Sequence, residues 1–180
     1  MSVGADKIRL RLSNAFGVND LPITAVTVAK PFNSTAGQRA VQANTIKQVS
    51  FSGNPSIIIP NGALAVSDPI DFHVDAQSVI SVTIYTREGQ QGFSITSHPG
   101  SRTTSFFAAG NQVNAANLTD SSVASAAHWY FLSAVESWAP SNVRTLAVVG
   151  DSITDGRGSE TDRNNRSVLR RLLLLSMAHK

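Results

Sequence analysis

Hydrophobic and polar residues alternate along several short stretches of the chain, beginning with residues 7–13 (KIRLRLS). In an extended chain Ile8, Leu10 and Leu12 point to one side, and the basic residues between them point to the other. The same period of two recurs in residues 78–86 (SVISVTIYT). Both stretches therefore predict strands with one face buried and one face in water.

Further short apolar stretches are separated by turn-forming clusters such as SGNP and PNG. They predict strands at residues 22–30, 45–51, 56–59, 63–66, 67–74, 93–97, 103–108 and 128–136. Residues 110–127 are predicted to form a long polar loop. About ten short strands without a helix-period segment between them are typical of an antiparallel β-sandwich or jelly roll. We expect this domain to occupy residues 1–139.

The pattern changes after the short linker APSN (residues 139–142). Residues 144–149 are apolar almost without interruption, as in a strand buried on both faces of a parallel sheet. A glycine-rich loop follows at residues 150–158, and residues 167–178 have the apolar period of a helix. Strand, loop and helix in this order open an α/β domain. We therefore expect residues 143–180 to be the start of a second domain.

Composition narrows the possible functions. Hydrophobic residues make up 42% of the 180 positions and charged residues only 15%, which suits folded, β-rich structure. The absence of cysteine excludes disulfides, thiolate metal sites and a cysteine nucleophile. The net charge of +3 comes from scattered basic residues, so nucleic-acid binding is not expected. No apolar run reaches the ~20 residues of a membrane span, and the first residues lack the apolar core of a signal peptide.

The string VVGDSITDG (residues 148–156) closely resembles the first sequence block of the SGNH/GDSL ester hydrolases. The earlier segments KIRLRLSNAFG and HWYFLSAVESWAP resemble an N-terminal β-sandwich module of a secreted branch of that family. The resemblance implies an extracellular parent enzyme that transfers an acyl group to water. It also implies a small ester or an acylated carbohydrate as substrate and no cofactor or metal.

The resemblance assigns the nucleophile to Ser152, whose own backbone N–H is one donor of the oxyanion hole. The remaining motif residues are expected to shape the loop: Gly150, Asp151, Thr154, Asp155 and Gly156. The alternative for Ser152 is a serine that only caps a turn or helix. A phosphate-binding loop would require a Gly-Lys-Ser/Thr ending, which is absent.

The family takes its base and orienting acid from a late Asp-x-x-His block. Only 28 residues follow Ser152, and the one histidine among them, His179, has Ser176 three positions before it. The family's glycine and asparagine blocks for the oxyanion hole are absent as well. We therefore expect a chain truncated soon after the nucleophile block and inactive as an esterase by itself. A non-catalytic carbohydrate-binding or structural module is the alternative function.

Other residue types leave several alternatives open. On one face of a predicted strand, His73 and Asp71 lie together, but a metal site would need a third ligand. Ordinary surface or hydrogen-bonded roles are expected for His98 and His128. Two roles are open for the aromatic residues: they pack within the strands, or they form a platform on which a sugar stacks. These residues are Trp129, Tyr130, Phe131 and Trp138. Glycosylation sequons stand at Asn33, Asn117 and Asn165, and the terminal helix is expected to expose Arg166, Arg170 and Arg171.

Overall fold

The computed structural model describes residues 1, 3–144 and 149–163, and within them the chain is mostly β-structure with antiparallel strand pairs. The prediction of a mostly-β chain is confirmed. The strands are β1 Ala5–Ser13, β2 Leu21–Ile23, β3 Ala25–Ala29, β4 Lys47–Gln48, β5 Ile57–Ile59, β6 Leu64–Val66, β7 Ile70–Val74, β8 Ser81–Tyr85, β9 Ser97–His98, β10 Ser105–Phe107, β11 Ala124–Ala126, β12 Trp129–Tyr130 and β13 Leu132–Ser137. A 3₁₀ turn spans Ala43–Thr45, and a single helical turn, α1, spans Ser152–Asp155.

Strand β1 organises the largest sheet. It pairs with β13 along one edge and with β7 and then β6 along the other edge. Its alternation is realised as predicted, because Ile8, Leu10 and Leu12 are fully buried while the basic residues between them stay partly exposed. The burial of this apolar row fixes the register of β1, since a shift by one residue would turn the whole row towards water.

A second sheet has β3 at its centre, between β4 and β8. Val26 and Val28 of β3 belong to the same buried cluster as the apolar row of β1. Residues from β2, β5 and β7 complete that cluster, including Leu21, Ile59 and Phe72. The two larger sheets therefore share one hydrophobic core.

The prediction of one strand over residues 22–30 is wrong, because this segment divides at Thr24 between two sheets. Strand β2 pairs with β5, whereas β3 pairs with β8. At the division the N–H of Thr24 donates to the carbonyl of Tyr85, and the Thr24 hydroxyl accepts from the N–H of Arg87. Thr24 thus holds the chain where it passes from one partner strand to another.

The predicted strand 128–136 also divides in two. Phe131 has a φ of 62°, which is unusual for a residue other than glycine, and it separates β12 from β13. Its N–H donates to the carbonyl of Thr96, and its carbonyl accepts from the N–H of Ser13. These two bonds hold the chain at the kink. Before it β12 pairs with β9, and after it β13 pairs with β1.

Two other predictions are corrected around the same region. The segment 110–127 is not entirely loop, because β11 near its end pairs with β10. The strand predicted at residues 93–97 is shorter and later, and forms β9. Small residues (Ala-Ser-Ala) make up β11, so its composition carried no apolar signal and the strand depends on its partner.

The predicted second domain lies largely outside the described residues. Two stretches are not described: residues 145–148, which are most of the predicted buried strand, and residues 164–180, which contain the predicted helix. Of the flanking residues, Arg144 and Val149 are outside any strand. Among the helices of the described residues, none is long and apolar enough to cross a bilayer.

Candidate active site

Residues 150–156, named here the motif turn, contain the helical turn α1. The N–H of Asp155 donates to the carbonyl of Asp151, and the N–H groups of Gly156 and Arg157 both donate to the carbonyl of Ser152. Gly156 has a φ of 85°, a left-handed conformation that suits glycine and ends the turn. Ser152 is therefore the first residue of a closed helical turn.

Gly150 allows the turn to fold back on itself. A Cβ atom at this position would lie 2.1 Å from the hydroxyl oxygen of Thr154, so a larger residue would collide with that side chain. The glycine and the threonine of the motif thus depend on each other sterically. This contact gives a physical reason for the motif-shaping role expected for both residues.

The Ser152 side chain is exposed to solvent. Among the described residues, neither its hydroxyl nor its backbone N–H has a hydrogen-bond partner. A free N–H is expected at the first position of a helix, where the backbone supplies no acceptor. The hydroxyl is accessible, but no described imidazole or carboxylate is hydrogen-bonded to it to remove its proton.

The motif turn contacts the strand-rich part of the chain through Asp155. The Nε2 atom of His98 lies 3.6 Å from the Oδ1 atom of Asp155. A Cβ atom on Gly100 would lie 2.2 Å from the Oδ2 atom of the same carboxylate, so glycine leaves the space that Asp155 occupies. The His98 ring also neighbours the indole of Trp129, at 6.2 Å between centroids.

A second contact fixes the segment after the motif turn. The carboxylate of Asp162 accepts hydrogen bonds from the N–H and the hydroxyl of Thr104, at 2.8 and 2.6 Å. The N–H of Asp162 donates to the carbonyl of Arg102 at 2.7 Å. A Cβ on Gly37 would lie 2.3 Å from the Oδ2 atom of Asp162, so this residue also fits closely. Loop residues 98–104, named here the docking loop, thus hold both acidic residues.

We expect Asp162→Ala to loosen the segment 149–163 without unfolding the strand-rich part. The substitution removes two charge-assisted acceptor interactions, each worth about 1.5–3 kcal/mol when well desolvated and less at this half-exposed site. Hydrogen exchange read by mass spectrometry should show roughly tenfold faster exchange in residues 149–163, which corresponds to ~1.4 kcal/mol.

Asp120→Ala is the matched control for this prediction. Its carboxylate also accepts hydrogen bonds, but from Ser122 within its own exposed loop. Exchange in residues 149–163 should stay at the wild-type rate in this variant. Equal exchange in the two variants would show that Asp162 does not anchor the segment.

His73 lies on strand β7, in an environment separate from the motif turn. On β7, His73 and Asp71 share an exposed face, as expected, but Asp71 pairs with Lys7. The ring of His73 instead lies between two carboxylates, with Asp6 2.6 Å from Nδ1 and Asp75 3.2 Å from Nε2. Because these acids flank the ring on opposite sides, they do not converge on one point. No three acidic or imidazole side chains in the described ranges are grouped so that they could hold a metal ion.

The stability of the protein should depend on pH through His73. Hydrogen bonds to Asp6, then to Asp75, raise the pKa of His73 above its usual value because they favour the imidazolium. A raised pKa in the folded state gives a contribution that is complete below about pH 6.5, the unfolded value, and is lost as pH rises through the folded value. We therefore expect the increase in Tm that His73 provides to shrink as the pH is raised above 6.5.

The difference between wild type and His73→Gln isolates this contribution. The amino group of Met1, whose pKa burial lowers, titrates in both proteins, and the Lys30–Asp75 contact is present in both. The difference in Tm should therefore be largest at pH 6 and shrink towards pH 9. A difference independent of pH would contradict the assignment.

The aromatic residues singled out in the sequence have different surroundings. Phe131 packs against the core, and Tyr130 lies edge-on to Phe107 and beside the stacked ring of His128. Both tryptophans are partly exposed, Trp129 at 38% and Trp138 at 46%. The sequons at Asn33 and Asn117 are exposed, while Asn165 lies outside the described residues, as do Arg166, Arg170, Arg171 and His179.

Sequence reasoning did not identify the docking loop or Asp162 as part of this region. The one local signal was the dipeptide Pro99-Gly100, which indicates a turn but no partner. Comparison with known proteins adds no assignment, since the chain matches no family model and no curated protein is significantly similar to it.

Proposed function

We propose that the chain carries the nucleophile block of a serine ester hydrolase of the SGNH/GDSL type, with Ser152 as the nucleophile. The observation that carries the proposal is the string Gly-Asp-Ser-Ile-Thr-Asp-Gly at residues 150–156. The geometry is compatible, because Ser152 is exposed at the start of a helical turn with a free backbone N–H among the described residues.

The proposal includes a fold. Residues 1–139 form an antiparallel β-sandwich of the jelly-roll kind, and residues 143–180 begin an α/β domain. The sandwich is supported by two antiparallel sheets, centred on β1 and β3, whose apolar residues belong to one buried cluster. The α/β part is supported by the apolar run LAVV (residues 146–149) directly before the motif turn.

The chemistry is acyl transfer to water. The Ser152 oxygen attacks the ester carbonyl carbon while a base takes the hydroxyl proton, and the carbonyl oxygen becomes an oxyanion. The C–O bond to the alcohol then breaks, and the alcohol leaves with that proton. Water attacks the resulting acyl-serine in the same way and releases the acid. The described residues supply the nucleophile and the Ser152 N–H, which is one oxyanion donor.

Labelling with a fluorophosphonate tests the proposal without requiring turnover. The phosphorus of the reagent forms a stable bond to the serine oxygen while fluoride leaves and the hydroxyl proton passes to the buffer. Peptide mass spectrometry then reads occupancy at each serine. Ser52, an exposed serine in a turn, is the internal control. We expect Ser152 to be labelled at least ten times faster than Ser52, because a preorganised N–H stabilises the developing charge.

Ser152→Ala should remove only the Ser152 label and leave the slow background at Ser52 unchanged. If Ser152 reacts no faster than Ser52, the serine only begins a helical turn and the ester-hydrolase proposal fails.

A further inference from the structure

Strand β8 leaves one edge of the second sheet unpaired. It pairs with β3 over residues 81–85, and within the part of the chain that the structure describes no strand pairs with its other edge. Its residues are partly exposed along the whole strand. An unpaired edge presents a row of backbone N–H and C=O groups to which another strand can bond. The free edge of β8 is therefore a place where a further strand can extend the sheet.

The pairing of β3 shows which backbone groups of β8 point towards this free edge. The carbonyl of Val26 accepts from the N–H of Val49, next to β4, so the backbone groups of Val26 point away from β8. In an antiparallel pair the residue opposite then turns its own groups away as well. Ile84 lies opposite Val26, and the direction alternates along the strand, so Val82 is turned the same way. The N–H and C=O groups of Val82 and Ile84 are thus directed outwards.

This edge lacks the features that usually keep edge strands apart, which are charged residues, proline and short length. Strand β4, at the other edge of the same sheet, is only two residues long and includes the exposed Lys47. Strand β13, at an edge of the larger sheet, carries Glu136. Residues 78–86 (SVISVTIYT) contain no charged residue, proline or glycine. The free edge of β8 is therefore open to pairing.

The sequence of β8 is complementary to a second copy of itself in antiparallel alignment. When Thr83 lies opposite Thr83 of the second copy, Val82 lies opposite Ile84. Val82 and Ile84 pack on the core side of the sheet, so apolar side chains meet apolar side chains there. Thr83 lies on the opposite face, where cross-strand threonine pairs are favourable. This alignment brings no like charges together, so the strand fits a second copy of the chain.

We propose that β8 strands from two copies of the chain pair antiparallel about a two-fold axis at Thr83. Val82 of each copy exchanges two hydrogen bonds with Ile84 of the other, through the groups that point outwards. The two sheets centred on β3 become one continuous sheet. Because both copies use the same edge, the contact closes on itself and the assembly stops at a dimer. The dimer does not depend on the proposed ester-hydrolase function.

Sedimentation equilibrium of the full chain tests the dimer over a hundredfold range of concentration around ~10 μM. The molar mass should rise from that of one chain, 19.1 kDa, to twice that value and no further. Thr83→Lys and Thr83→Glu each place like charges opposite each other at the axis and should weaken association about tenfold or more. Gln48→Lys adds the same charge to β4, at the opposite edge of the sheet, and should leave association unchanged.

Mixing the Thr83→Lys and Thr83→Glu proteins in equal amounts should restore the dimer, because unlike charges then meet across the axis. Amide hydrogen exchange of the wild type, read by nuclear magnetic resonance, needs no substitution. Exchange at Val82 and Ile84 should slow as the protein concentration rises, while exchange at Lys47 stays constant. If circular dichroism shows that a Thr83 variant does not fold, this exchange measurement decides alone.

A chain that stays monomeric over the whole range overturns the proposal and leaves the free edge of β8 to a strand of another protein. Growth beyond two copies overturns it too, because the contact is then not closed. The same holds for a dimer that Thr83→Lys and Gln48→Lys weaken equally, or that folded Thr83→Lys and Thr83→Glu proteins do not restore on mixing. A dimer in which exchange at Val82 and Ile84 is independent of concentration uses a different surface and contradicts the assignment.

Discussion

Replacing Leu10 by alanine should destabilise the protein by about 2–5 kcal/mol, the cost of deleting three buried carbon atoms and leaving a cavity. Leu10 is fully buried at the middle of β1, the strand that pairs with β13, β6 and β7. It belongs to the cluster that joins the two larger sheets, so its neighbours lie on fixed strands and have little freedom to fill the space. Urea unfolding followed by circular dichroism measures the change as a lower midpoint with the same slope.

Leu64→Ala is the matched control for Leu10→Ala. Leu64 is also a leucine on a strand that pairs with β1, but 48% of its surface is exposed. Its truncation should cost less than about 1 kcal/mol, because the alanine leaves no enclosed cavity. Equal midpoints for the two variants would mean that Leu10 does not lie in the shared core.

The sequence predicts those parts of the fold whose signal is local. In β1 the alternation of apolar and basic residues extends over the six positions 7–12, and the strand forms as expected. The division of residues 22–30 and of residues 128–136 could not be predicted in this way. In both segments the residues before and after the break pair with different strands, and the choice of partner strand depends on residues far away in the chain.

The site shows the same limit. The motif indicates a turn with Ser152 as the candidate nucleophile. The steric contact between Gly150 and Thr154 joins positions only four residues apart, so it lies within the motif itself. The contact of Asp162 with Thr104 joins positions 58 residues apart, and no periodicity or spacing marks either residue. Sequence could therefore predict a turn at residues 150–156 but not the docking loop that holds it, and the chemistry at Ser152 stays a prediction.

Two glycines far from the motif turn, only one of them in the docking loop, help to position the segment 149–163. Gly37 and Gly100 leave space for the carboxylates of Asp162 and Asp155, respectively. A Cβ atom on Gly37 or Gly100 would lie 2.3 or 2.2 Å, respectively, from a carboxylate oxygen. The carboxylate would therefore have to move. The position of the candidate nucleophile is thus set partly by backbone atoms of the strand-rich part.

The chain should hydrolyse p-nitrophenyl acetate no faster than buffer alone. Serine triads lose about 10⁴–10⁶ in rate when members are removed, and a partial oxyanion hole recovers little of that. The described histidines all have other neighbours: His73 lies between Asp6 and Asp75, His98 faces Asp155, and His128 stacks on Tyr130. None is hydrogen-bonded to the Ser152 hydroxyl within the described ranges, so none is placed to remove its proton.

Release of p-nitrophenolate at 400 nm gives the rate, and Ser152→Ala provides the control because it removes only the hydroxyl oxygen. We expect the two proteins and the buffer to give the same slope, even where the fluorophosphonate labels Ser152 selectively. Stable labelling requires only one attack, in which hydroxide or buffer can slowly take the hydroxyl proton, whereas turnover requires proton removal in both acylation and deacylation. A slope above buffer that Ser152→Ala abolishes would show that the chain does provide a base to Ser152. His98→Ala would then test the nearest described imidazole, the one that already contacts the motif turn.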